Sequence, residues 1–149
     1  MLRLTRETLP AFKERFGNLK PDSPRQFGKI DVAQMLHHLD LAVRVSLGEV
    51  QLKDESNIFA RTLGPILVFY ILPWPKGKIK APDSFTPPAE LPFEDERHRL
   101  FGHMNAFIER AEREPRTTTP HPMFGSSTLR FWQRMHGKHM NYHLEQFGV

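Results

Sequence analysis

Apolar residues recur every three to four positions over four stretches of the chain, the spacing of one buried face of an α-helix. The first stretch predicts a helix from Thr5 to Phe16, with Leu9, Phe12 and Phe16 on one side and Gly17 as its stop. The second opens after Ile30. There Asp31 can accept the unpaired amides while Gln34 reaches back, a capping-box arrangement, and Gly48 should close the helix. The third runs from Phe93 to Arg113 with Leu100, Phe101, Met104, Phe107, Ile108 and Ala111 on its stripe, broken only by Arg97. The last follows Thr128, a natural cap, and continues to Phe147.

Two intervening stretches are less regular. Asn57 to Leu72 is helical in composition at first and then dense in Phe, Ile, Val and Tyr, a pattern shared by helices and buried strands; a helix of modest length is the expectation. From Pro73 to Pro92, prolines at 73, 75, 82, 87, 88 and 92 withdraw backbone donors and exclude a regular helix. Counting the 57–72 segment as the third major helical segment and the helix from Phe93 as the fourth, a long surface loop should therefore join the two. The pattern as a whole predicts one all-α domain over residues 1–149.

Composition narrows the chemistry. With 149 residues the chain can bury a core without crosslinks. It has no cysteine, so disulfides, thiolate metal sites and cysteine nucleophiles are excluded, and any metal must be held by nitrogen or oxygen. The start, MLRLTRETLP, lacks the apolar stretch and cleavage site of a secretory signal, and a cytoplasmic location is expected. The segment GPILVFYILPW (Gly64 to Trp74) is about half of the roughly 20 residues a bilayer-spanning helix needs, and reads as core, not membrane. The net charge of +4 is accounted for by the first 30 residues, with seven basic side chains against Glu7, Glu14 and Asp22. No helix carries a sustained basic stripe with interleaved aromatics, so no nucleic-acid partner is expected.

The eight histidines are the distinctive feature. At about 100° per residue, Trp132, His136, His139, Met140, His143 and Phe147 share one face of the last helix. An imidazole in a core is costly unless its nitrogens find partners, and His139 and His143, four apart, point the same way. One helical turn thus pre-sets two ligands. The glutamate of an HExxH site is missing, since Met140 follows His139, which argues against a zincin protease. On the second helix His38 lies within the apolar arc and His37 outside it. His38 can add a third nitrogen from another helix, giving a His₃ set with open positions.

Other readings stand beside this one. Spacing alone also permits a cluster of core histidines satisfied by hydrogen bonds, and admits His136 as readily as its neighbours. His37, His98 and His103 read as solvated or rim residues, and His121, bracketed by Pro120 and Pro122, as a structural turn residue. Ser126 and Ser127 lead into a helix start, and no GxSxG or phosphate-cradling loop is present. Glu94, Asp95 and Glu96 suit the positive end of a helix.

The segments QFGKIDVAQMLHHLDLAVRVSLGE (Gln26 to Glu49) and HPMFGSSTLRFWQRMHGKHMNYHLEQFGV (His121 to Val149) resemble the two signature regions of an uncharacterised branch of the DinB/YfiT-like superfamily. The second is the more specific, through its His-Pro-x-Phe-Gly turn, Trp132, Lys138-His139, His143-Leu144 and Gln146-Phe147-Gly148. The resemblance covers nearly the whole chain. It implies a four-helix bundle, often a homodimer, in which His38, His139 and His143 bind a divalent metal ion, zinc or nickel foremost. His136 is not carried over, and Tyr142 stands where many relatives have a second histidine.

Some superfamily members resemble metal-dependent hydrolases or thiol transferases. The functional expectation is thus a metal-dependent enzyme of that kind acting on a small molecule that the sequence does not identify. The alternative is a non-catalytic dimeric bundle that binds a small molecule or partner and keeps its histidines for structure. Gln34 and Gln146 are the expected ligand-orienting partners, and the loops Lys76 to Pro92 and His121 to Gly125 the expected pocket walls.

Overall fold

A computed structural model describes residues 2–149. Its elements in chain order are α1 (Leu9–Gly17), α2 (Val32–Ser46), α3 (Ile58–Ile66), a π-helical turn (Leu67–Ile71), a 3₁₀ turn (Asp83–Phe85), α4 (Phe93–Arg113), β1 (Thr118–His121), β2 (Gly125–Thr128) and α5 (Leu129–Gln146). The expected all-α four-helix bundle is therefore corrected. Among the described residues there are five α-helices and a two-stranded antiparallel sheet that packs on α2 and α5, so the fold mixes α and β.

The hairpin occupies the stretch read as turns before the last helix. Thr118 pairs with Thr128 and His121 with Gly125, leaving three residues at the tip. Its β-branched and small residues suit an extended backbone, and Pro120 excludes a helix there. Thr119, His121, Gly125 and Ser127 alternate inward, the period-2 signal that four-residue strands make too briefly to read with confidence against turn chemistry. The Thr119 hydroxyl donates to the Ser46 carbonyl at 3.1 Å, which seats the hairpin on the end of α2.

Local chemistry sets the helix boundaries. The Asp31 carboxylate accepts the Gln34 amide at 2.8 Å at the start of α2, Asn57 caps α3, and Thr128 accepts from Phe131 at 3.1 Å at the start of α5. The ambiguous segment 57–72 is helical, but Pro65 lies inside α3 and removes one amide. The ladder then loosens into the π turn, in which the Leu72 amide reaches the Leu67 carbonyl at 2.7 Å. Ile58, Phe59, Leu63 and Ile66 on this arm are all at least half exposed.

The core lies between α2, α4 and α5, with Phe12 and Phe16 of α1 closing one end. Leu39, Met104, Phe107, Trp132, Met140 and Leu144 are almost wholly buried. Arg97, the exception on the α4 stripe, donates to the Phe16 and Leu19 carbonyls at 3.3 Å, so it satisfies the end of α1. Between α2 and α4 the buried carboxylates of Asp40 and Glu96 are held by Arg99 at 3.3 and 2.8 Å and by His103 at 2.6 Å. Among the described residues no helix is long and apolar enough to cross a membrane.

Candidate metal centre

His38 sits on the second turn of α2, and His139 and His143 sit one turn apart on α5, which packs against it. The three rings converge. The His38 Nε2 is 2.8 Å from the His139 Nε2, and the His143 Nε2 is 3.2 Å from that same atom. One ligand nitrogen from each residue lies within 4.8 Å of the other two, a cluster that could hold a metal ion. Nitrogens sharing one tetrahedral zinc would stand roughly 3.3 Å apart at a bond length of about 2.0 Å.

The outer nitrogens fix the tautomers of two rings. The His38 Nδ1 is 2.6 Å from the Phe85 carbonyl oxygen, which can only accept, so Nδ1 carries the proton. The His143 Nδ1 is 2.7 Å from the Gln146 Oε1, and the amide is oriented by its own Nε2, which donates to the Phe27 carbonyl at 2.9 Å. Neutral His38 and His143 must then present bare Nε2 lone pairs to His139. A single proton on the His139 Nε2 can serve one of them well, whereas a cation would serve all three.

Burial keeps these rings uncharged. It pushes the pKa of His38 below its ordinary value, an effect only partly offset by the Phe85 carbonyl. His143 is pushed down to about 3, first by burial and then by repulsion from His38. His139 lies well below its ordinary value for the same two reasons. Unprotonated imidazole is the form that binds a metal.

His38 and His139 open onto a cavity of about 300 Å³; Phe69, Trp74, Phe85, Phe124 and Met135 form much of its wall. His143 is not among its lining residues. The Pro-rich loop supplies one side, as expected, and the hairpin tip with His121, Met123 and Phe124 another. The Trp74 indole N–H is anchored on the Val68 carbonyl at 2.9 Å, and its ring centre is 5.9 Å from that of His139.

The remaining histidines divide by partner. His136 donates from Nε2 to the Ser46 hydroxyl at 2.9 Å and stacks on Trp132, so it stands outside the cluster. His121 accepts the Met123 and Phe124 amides at 3.0 and 3.2 Å, the expected turn role, while also lining the cavity. His98 is exposed. His37, expected to be solvated, is instead buried, with its Nδ1 2.7 Å from the Arg99 guanidinium and 3.3 Å from Glu96. Gln146, one of the two expected orienting partners, holds the His143 ring, whereas Gln34 holds none of the three rings. Its amide donates to the Thr86 carbonyl at 2.9 Å and fastens the loop beside Phe85. The Phe85 carbonyl that holds His38 lies 47 residues from it, with no signal in the sequence.

A family profile described as "Protein of unknown function (DUF1569)" matches residues 3–148. The chain belongs to this family. The DUF1569 match spans all three converging histidines, the Pro-rich loop and the hairpin, so the whole site lies within the family's domain. Neither the curated proteins nor the solved structures contain a match to the chain.

Proposed function

We propose that His38, His139 and His143 hold one divalent metal ion, zinc or nickel, and that this DUF1569 protein is a metal-dependent enzyme acting on a small molecule in the adjoining cavity. The observation that carries the reading is the pair of fixed, proton-free Nε2 atoms aimed at the Nε2 of a third ring at 2.8 and 3.2 Å. The resemblance of the α2 and α5 segments to the DinB/YfiT-like superfamily supports the same ligand set. A bound ion would polarise a substrate carbonyl or phosphoryl group, or bring a bound water or thiol to a near-neutral pKa, as hydrolysis or thiol transfer requires. The chain's own part is to orient the rings through Phe85 and Gln146 and to exclude bulk water with the Pro-rich loop. The exposed apolar side chains of α3 support a homodimer.

Metal analysis of protein purified without a histidine tag tests the reading. About one equivalent is expected, lost in His139→Ala and retained in His136→Ala; added Zn²⁺ or Ni²⁺ should raise the melting temperature of the parent and not of His139→Ala. A stable protein that takes up no metal would return the histidines to a structural role in a non-catalytic binding protein, the reading that the largely apolar cavity also allows.

A further inference from the structure

The charge balance of the cavity narrows what it can bind. The outer N–H groups of His38 and His143 are given to a backbone carbonyl and to a side-chain amide, both neutral acceptors. Carboxylates often fill that position around metal-bound histidines and offset part of the ion's charge. No aspartate or glutamate is among the described residues that line the cavity, and the one ionic side chain there is Lys80. The nearby acids of α2 and α4, Asp40 and Glu96, are already engaged by Arg99 and His103. A divalent cation on three neutral imidazoles would keep its charge of two, in surroundings too apolar to screen it.

The walls impose a second requirement. Phe69, Trp74, Phe85 and Phe124 present aromatic surface to a space of about 300 Å³, room for one small ring or short branched chain. Three protein nitrogens also leave up to two positions free on a four- or five-coordinate ion, which the two oxygens of one carboxylate can fill together.

From these observations, and resting on the metal reading above, we infer that the cavity takes a small monocarboxylate with an aromatic or branched aliphatic body, its carboxylate on the metal and its body against Trp74 and Phe69. The inference concerns the ligand class and not the reaction. It requires both parts of the ligand together. An apolar amide lacks the charge, and acetate lacks the body.

The test uses the full chain loaded with Co²⁺, whose visible absorption reports its coordination, titrated with phenylacetate, phenylacetamide, acetate and phenylmethanethiol. Phenylacetate is expected to change the spectrum with an affinity at least about tenfold above those of phenylacetamide and acetate. In metal-free protein, followed by tryptophan fluorescence, its binding should weaken by a similar factor. Trp74→Ala, a change in a partly exposed loop residue, should bind Co²⁺ as before and weaken phenylacetate by about tenfold while leaving acetate unchanged. Equal affinity for phenylacetate and phenylacetamide overturns the charge argument, equal affinity for phenylacetate and acetate overturns the apolar body, and a tenfold preference for the thiol overturns the donor. Co²⁺ uptake without the expected preference overturns this inference alone. No Co²⁺ uptake, or uptake unaffected by His139→Ala, overturns the metal reading and this inference with it.

Discussion

At His143 the chemistry of the site depends on one amide. Gln146 accepts the Nδ1–H of the ring and is itself pinned by the Phe27 carbonyl, so both ring orientation and tautomer follow from it. Gln146→Leu keeps the volume and removes the acceptor. On the proposed metal reading, metal affinity should fall about 10- to 100-fold, measured by competition with a chelating dye, with one equivalent still bound at saturation. The pairing of His139 with His143 was legible in the sequence because one turn of helix dictates it. His38 was legible from its place within an apolar arc, but the same arc misplaced His37, whose burial is made tolerable by Arg99 and Glu96 on another helix. Periodicity registers which positions are apolar and carries no information on which polar positions find a partner.

Among the elements, α5 holds the most consequential close approach. The N-terminal strand of backbone crosses it at Gly137, where the Leu4 amide bonds to the Gln133 carbonyl at 2.8 Å and an added Cβ would run into the Leu2 carbonyl and the Arg3 Cα. Alanine ordinarily stabilises a helix by about 1 kcal/mol over glycine. Here the displaced atoms are backbone, and overpacking of about 1–3 kcal/mol or more should win. Gly137→Ala is expected to lower stability by about 1–2 kcal/mol in urea denaturation, the opposite sign to propensity. Helix caps at Asp31 and Thr128 were foreseeable because a cap is a local bond. The hairpin was not, since the prolines and glycine of residues 115–125 suit turns and short strands alike, and the choice is made by packing on α2.

Over the whole molecule, burial of several uncharged imidazoles makes stability depend on acidity. Burial pushes the pKa of His136 down from 6.5 to about 3. Above about pH 7.5 the ring is neutral in both folded and unfolded chains and contributes no pH dependence. As the pH falls through 6.5, the unfolded chain binds a proton that the folded chain refuses until about pH 3, so stability drops, by about 2 kcal/mol at pH 5 from this residue alone. His136→Gln should flatten the difference between urea unfolding free energies at pH 7 and pH 5 by that amount. An unchanged slope would mean that His136 titrates normally in the folded protein.

The order of the long helices, the absence of cysteine and the candidacy of His38, His139 and His143, with His136 beside them, were present in the chain as written, because helical periodicity, caps and composition act over a few neighbouring residues. The hairpin, the Arg99 network that buries His37, the carbonyl of Phe85 behind His38 and the acid-free apolar chamber arose from contacts between segments far apart in the chain. Local spacing constrains a residue's direction along its own helix. Which distant group it meets is fixed only when the helices pack.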